Sequence, residues 1–289
     1  MAPIHGNDDR QPVLDAMIGG LVSGRRWTRY RDCGLDAFVV QHDETQEYGI
    51  RGTFCGDRFC RFCTARRSAV IRRELSQWLI GRPIRFMTLT LKHSVESSLP
   101  ELIDRMYEKF HAMRRLKLWR QHVEGGASFL EVKRSAAGWH VHVHVLMEGR
   151  FFPKEWLSQL WENVTRDSKI VDIRQPKGED AARYCAKYAA KGWTADVPLA
   201  VPMLRDLIAA MQGRRTVLAF GTWFRRFSIT KLLDCGMDDI DKAQAGMKWK
   251  GIGSFSEILQ GARLKDERCV KILTGLGRLY LCPQLENSS

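Results

Sequence analysis

Three histidines alternate with valines in Gly138–Met147, which reads Gly-Trp-His-Val-His-Val-His-Val-Leu-Met. Successive side chains of a strand point to opposite faces, so His140, His142 and His144 share one face and the valines the other. A row of neutral ring nitrogens backed by an apolar face is how a strand offers metal ligands. A half-exposed strand that happens to carry histidines is the plainer reading, but these are three of only eight histidines in the chain. Glu131 lies one strand earlier, on the other arm of a hairpin. Pairing would bring it near His142 and His144 as a two-histidine, one-carboxylate set that leaves coordination positions open for substrate oxygens. The competing role for Glu131 is a salt bridge with Lys133 or an arginine. Two chemistries use such a set: a non-haem iron oxygenase triad, and a divalent ion polarising a phosphodiester.

A second cluster favours the phosphodiester. Glu179–Gly192 contains Tyr184-Cys-Ala-Lys187-Tyr188-Ala-Ala-Lys191. Alanines, the acids Glu179 and Asp180 at the start and Gly192 at the end predict a helix. Tyr184 and Tyr188 are then one turn apart on one face, with Lys187 and Lys191 three residues after each. Tyrosines half-buried against a sheet, with lysines in solvent, would give the same pattern. Only six tyrosines exist in the chain.

A third set is Cys33 with Cys55-x4-Cys60-x2-Cys63, four of eight cysteines in the first quarter of the sequence. In a reducing compartment such a cluster indicates metal before disulfide. Arg58, Arg61, Arg66 and Arg67 would favour the thiolates. Zinc needs a fourth ligand, for which Cys33 is the candidate and His42 a distant second. Free thiols are the alternative to a structural zinc knuckle.

The chain has 289 residues, 44% of them hydrophobic, and a formal charge of +13. That supports a real core and an anionic partner, with nucleic acid the default. A membrane surface is the rival, but no apolar run of spanning length exists and the polar start, Met1–Pro12, does not read as a signal peptide. A soluble, cytoplasmic protein is expected.

The elements that must hold these residues follow from periodicity. Thr64–Ile80 reads as a basic amphipathic helix, Ile84–Leu91 as a buried strand, and Leu99–Val123 as one long helix ended by Gly125-Gly126. The helix Leu99–Val123 carries Arg105, Lys109, Arg114, Arg115, Lys117 and Arg120 on its polar face, a candidate track for a DNA backbone. Ala127–Lys133 and Trp139–Met147 form a hairpin, Pro153–Thr165 a helix, Lys169–Arg174 a strand. The order β-α-β-β-α-β-α predicts an α+β fold with a central antiparallel-containing sheet. Three regions are expected: 1–80 with the cysteine cluster and a basic helix, 81–194 as the core, and 195–289 completing it or accessory to it.

Taken together, Phe86-Met-Thr-Leu-Thr-Leu-Lys92-His93, His140-Val-His142-Val-His144 and Tyr184-Cys-Ala-Lys187-Tyr188 resemble the three ordered motifs of HUH endonucleases. In detail the chain is similar to the plasmid rolling-circle replication initiator (Rep) family, in a two-tyrosine variant. Asp32-Cys33-Gly34, the Cys55–Cys63 segment, Glu131-Val and Glu155-Trp-Leu add to the resemblance, which covers about Cys33 to Lys191. It implies an HUH core with His142, His144 and Glu131 holding a divalent metal, Mg²⁺ or Mn²⁺. Tyr188 is then the nucleophile and Lys187 the motif lysine near the phosphate. His140 and Lys191 are left to support the site or contact DNA. Several such initiators carry glutamate where Tyr184 stands, so Tyr184 becomes a second nucleophile, or else a residue that positions Tyr188 or stacks on a base. The implied activity is single-strand nicking and rejoining at an origin, with single-stranded and origin DNA as partners and a host helicase and polymerase downstream. A two-tyrosine transposase shares the chemistry; a non-catalytic zinc DNA-binding protein does not.

Overall fold

The computed structural model describes residues 13, 16, 24–44, 46, 48–60, 63–64, 75, 79–151, 153–176, 193–195, 199–224 and 249–276. In chain order the elements are α1 (Gly24–Arg31), β1 (Phe38–His42), β2 (Tyr48–Arg51), β3 (Ile84–Thr90), α2 (Leu99–Arg115), α3 (Lys117–His122), β4 (Val123–Ser135), β5 (Gly138–Gly149), α4 (Lys154–Thr165), β6 (Val171–Arg174), β7 (Trp193–Ala195), α5 (Val201–Met211), β8 (Val217–Gly221), β9 (Trp249–Ser254), α6 (Phe255–Arg263) and α7 (Glu267–Gly275). The chain divides into two compact units, residues 1–69 with 235–289, and residues 70–234. The fold is mixed α+β.

In the second unit the sheet order is β6-β3-β5-β4-β7. β3, β5 and β4 run antiparallel to their neighbours. The outer edge of β4 is shared: β8 pairs antiparallel with Gly125–Phe129, and β7 parallel with Val132–Arg134. The valine face of β5 is buried, Val141, Val143 and Val145 all being at or near zero exposure. Helices cover that face. Phe110 of α2 and Trp119 of α3 meet Phe220 of β8, which pairs with Gly126 on the valine side. α2 forms because Pro100 and Glu101 suit a first turn while Leu99, Leu102, Ile103, Met106, Phe110 and Met113 fall on one buried stripe. Trp161 of α4 is fully buried and donates its ring N–H to the Thr90 carbonyl at 2.9 Å, fixing α4 to β3.

Two expectations need correction. The segment 99–123 is two helices, because Leu116 adopts an extended backbone between them, and the chain is already a strand at Val123. Gly125 and Gly126 therefore stop no helix. A Cβ at Gly126 would overlap the backbone of Leu146 and Met147, so these glycines let strands approach closely. The basic face of α2 is also partly committed to the fold. Arg105 bonds the Thr165 carbonyl and Asp167, and the half-buried Arg114 lies over Phe110 and Phe220, 5.1 and 5.2 Å from their ring centres.

The first unit has its own sheet, β2-β1-β9, all antiparallel. Its core consists of Ala37, Val39 and Ile50 from the strands and their flank, packed on Phe255, Ile258, Ala262, Ile272 and Leu273 of α6 and α7. Trp249–Ser254, from the region 195–289 whose role the sequence leaves open, thus supplies β9.

Candidate active site

The register of three strands builds one polar face. His142 sits opposite Glu131 of β4 and Thr90 of β3; His144 sits opposite Phe129 and Thr88; His140 sits opposite Lys133. Directly opposed residues share a face, so the histidines, Glu131 and the two threonines line up together. Each threonine hydroxyl lies 3.1 Å from the Nδ1 of its histidine, Thr88 to His144 and Thr90 to His142. This leaves Nε2 as the nitrogen of His142 turned away from β3, and the Nε2 of His144 lies 2.9 Å from Glu131 Oε2. Glu131 and His144 are both buried. Phe86 stacks on His144 with ring centres 5.7 Å apart, and Arg174 lies over Phe86.

The electrostatics suit ligands. Burial drives the His142 pKa down to about 4, against the pull of Glu131 and helped by His144, Lys133 and His140, so the ring is neutral at physiological pH. Burial pushes the Glu131 carboxyl up, but the hydrogen bond and charge of His144, with His142 and Lys133, outweigh it and hold the group ionised. A neutral imidazole and a carboxylate anion are the donor types a divalent cation takes. The spacing is wider than a bound ion requires. The His142 and His144 rings are nearly parallel with centres 6.2 Å apart, and their ring nitrogens and a Glu131 oxygen do not all come within 4.8 Å of one another, whereas donors on one ion lie within about 3–4 Å. Ion uptake therefore needs the rings to tilt together and Glu131 to exchange its contact with His144 for the ion.

At the hairpin end His140 is hydrogen-bonded to Ser135 through Nε2, and its ring packs on His93, centre to centre 3.8 Å. A carbonyl only accepts, so in the 3.2 Å contact of His93 Nδ1 with Leu91 O the ring nitrogen is the donor. The sequence reading gave no role to Thr88, Thr90, His93 or Ser135. The alternation Thr88-Leu-Thr90-Leu was the available signal, since it sets both hydroxyls on one strand face. Tyr184, Lys187, Tyr188 and Lys191 lie outside the described residues. The described chain resumes at Trp193, which pairs with Val132, the neighbour of Glu131.

The cysteine set belongs to the first unit. Cys33 follows α1, and Cys55, Cys60 and Cys63 follow β2. Their four sulfurs lie within 4.8 Å of one another, the one such group of metal-ligating side chains among the described residues. Sulfur–sulfur distances are 3.6 Å for Cys33–Cys63, 3.6 Å for Cys55–Cys63 and 3.5 Å for Cys33–Cys60. A tetrahedral zinc with bonds of about 2.3 Å sets its sulfurs about 3.8 Å apart, while a disulfide needs about 2.05 Å. The spacing fits the ion. Backbone N–H groups of Cys55, Gly56 and Asp57 donate to Cys33, Cys63 and Cys55 sulfurs at 3.2–3.3 Å, as suits thiolates. The protons are unevenly shared: hydrogen bonds from Cys33, Cys55 and Cys60 pull the Cys63 thiol down, and those to Cys33, Cys60 and Cys63 push the Cys55 thiol up. Cys33 rather than His42 is the fourth member, since His42 packs edge-on to Trp249. Asp57 locks the loop through Arg26 at 2.6 Å. Cys33, Cys55, Cys60 and Cys63 form a site that could hold a metal such as Zn²⁺.

The replication-protein family Rep_1 matches residues 49–251, about two thirds of the chain. The chain belongs to this family of replication proteins, in line with the resemblance to plasmid initiators carried by its motifs. No curated protein and no solved structure matches it. Among the described residues no helix is long and apolar enough to cross a membrane.

Proposed function

We propose that this replication protein nicks one DNA strand at a plasmid origin, keeps the strand as a covalent phosphotyrosine, and later rejoins it. The observation that carries the reading is the shared face of Glu131, His142 and His144, backed by threonine hydroxyls and buried beneath. Family membership sets the biological context. The sequence supports the nucleophile: Tyr188 precedes Trp193 by five residues, and Trp193 pairs beside Glu131.

In this reading Glu131, His142 and His144 hold Mg²⁺ or Mn²⁺, which would polarise the scissile phosphate and offset charge built up on its oxygens. A phenol of pKa about 10 is ~0.1% ionised at neutral pH, so activating it costs ~4 kcal/mol. Lys187 and Lys191 lower that cost by placing positive charge near the phenolate and phosphate. Tyr188 gives up its phenol proton as Oη bonds to phosphorus, the P–O3′ bond breaks, and the 3′ oxygen takes up one proton and leaves as a hydroxyl, so no net proton is gained or lost. The products are a 5′-phosphotyrosine and a 3′-OH from which a polymerase extends. The reverse attack by a 3′-OH reseals the strand without ATP, because the phosphodiester energy is conserved in the phosphotyrosine. Tyr184 acts as a second nucleophile that takes the next strand end.

The test is a denaturation-resistant conjugate between the full chain and labelled single-stranded DNA in Mn²⁺. Wild type is expected to form it and Tyr188→Phe to lose it. If Tyr184→Phe cleaves and rejoins through several rounds as wild type does, alternation of the tyrosines is wrong. A non-catalytic zinc-bound DNA-binding protein would bind duplex and never form the conjugate.

A further inference from the structure

The first unit contains a feature the nicking chemistry does not use. α6 and α7 are joined by three residues, Leu264, Lys265 and Asp266. The joint is fully hydrogen-bonded. Lys265 N–H donates to the Ala262 carbonyl at 3.0 Å and Asp266 N–H to the Gly261 carbonyl at 2.9 Å, the pattern that closes a helix around a left-handed residue. That residue is Lys265, at φ 61°, where glycine is the usual occupant. Asp266 then caps α7 by accepting from Cys269 N–H at 2.8 Å. Gly261 lets the helices touch, since a Cβ there would press on the Cys269 side chain. Two short helices joined by a fixed three-residue turn, both packed by one face on the same core, have the connectivity from which a second helix is presented to a DNA groove.

α7 has two unlike faces. Ile272 and Leu273 enter the core, with Cys269 half-buried beside them. The opposite side is exposed and carries Glu267, Arg268, Val270, Lys271 and Thr274. Lys265 and Arg263 extend its positive charge across the turn, and both are exposed. Among the described residues Arg263, Lys265, Arg268 and Lys271 make no ion pair within 4.0 Å, whereas Arg105 and Arg114 of α2 are committed to the fold. Cations held out from a rigid turn match the charge of a phosphate backbone. The outer face also offers a methyl-bearing Val270, which suits a thymine methyl, and Thr274, whose hydroxyl donates to the Val270 carbonyl at 2.8 Å and keeps only its acceptor side for a base edge. Glu267 would repel phosphate and is accommodated where it meets a base amino group.

We infer that α7 enters the major groove of duplex DNA and reads sequence there, so that this unit recognises the origin duplex while the other unit cuts. The inference deepens the initiator reading and rests on it. The left-handed Lys265 makes it testable without unfolding: Lys265→Gly relieves an unfavourable backbone, so its melting temperature should rise while duplex affinity falls.

The experiment takes the full chain through rounds of selection on duplexes with a randomised central sequence, followed by fluorescence anisotropy on the enriched duplex. Wild type is expected to enrich one motif. Arg268→Ala and Lys271→Ala are each expected to weaken binding of it about tenfold. Lys265→Gly is expected to weaken all duplexes alike and to reduce the salt slope by about one. Enrichment of no motif by wild type, or variants that bind the enriched duplex within twofold of wild type, overturns the inference. Conjugate formation on single-stranded DNA is read in parallel. Its loss with motif selection intact would fail the nicking reading alone, and its persistence without motif selection would fail the groove assignment alone.

Discussion

Replacing Thr90 by valine removes one hydroxyl and almost no volume. In the structure that hydroxyl sits 3.1 Å from His142 Nδ1, within the β3–β5 ladder that sets the two residues opposite each other. His142 is neutral and half-buried, and the threonine hydroxyl holds its Nδ1, which sets the other ring nitrogen outward. A neutral hydrogen bond contributes about 0.5–1.5 kcal/mol, a factor of about 2–12 in an equilibrium. Partners that orient a ligating histidine are typically worth about 10–100-fold in metal affinity. Thr90→Val is therefore expected to weaken Mn²⁺ binding about tenfold, read by calorimetry, and to raise the Mn²⁺ midpoint for conjugate formation by the same factor. Saturating Mn²⁺ should restore most of the rate, and Thr90→Ser should recover affinity. Thr88→Val should cost less, because His144 is also held by stacking on Phe86. An unchanged Mn²⁺ midpoint in a folded Thr90→Val protein would refute the orienting role and weaken the case that His142 binds the ion.

The cysteine site predicts one zinc per chain by elemental analysis, and Cys60→Ser should lose it; a purified, folded wild type with no bound metal would contradict the fit drawn from the sulfur spacing. Glu148 accepts from Arg82 at 3.0 Å and from the ring N–H of Trp223 at 3.0 Å, joining the ends of three strands. Glu148→Ala should cost about 1–3 kcal/mol in urea denaturation, given charged hydrogen bonds that are only partly exposed. Gly126→Ala should destabilise by at least as much, because the added methyl overlaps the neighbouring strand's backbone; a melting temperature equal to wild type would show that the strands can part at no cost.

Much of the second unit was legible because its signals are local. The β5 alternation fixed the histidine face, and pairing across a short hairpin put Glu131 beside it. The order of elements from β3 to β6 followed from periodicity alone, apart from the break at Leu116. What was not legible depended on distant pairing. Nothing in Gly125-Gly126 distinguishes a helix stop from a tight strand crossing until β5 and β8 are alongside. The threonine–histidine bonds link residues more than fifty positions apart, and only the register of β3 against β5 reveals them. Likewise, basic residues on α2 look alike as sequence, although Asp167 and two aromatic rings claim some of them.

β1 ends at His42, whose partner in the ladder is Trp249. On a ribosome adding about 5–20 residues per second, the first strand waits roughly 10–40 s for the third. The four cysteines have all emerged long before then. A metal captured by them would organise this region while its outer edge still lacks a neighbour, shielding a nascent chain from pairing with the wrong strand.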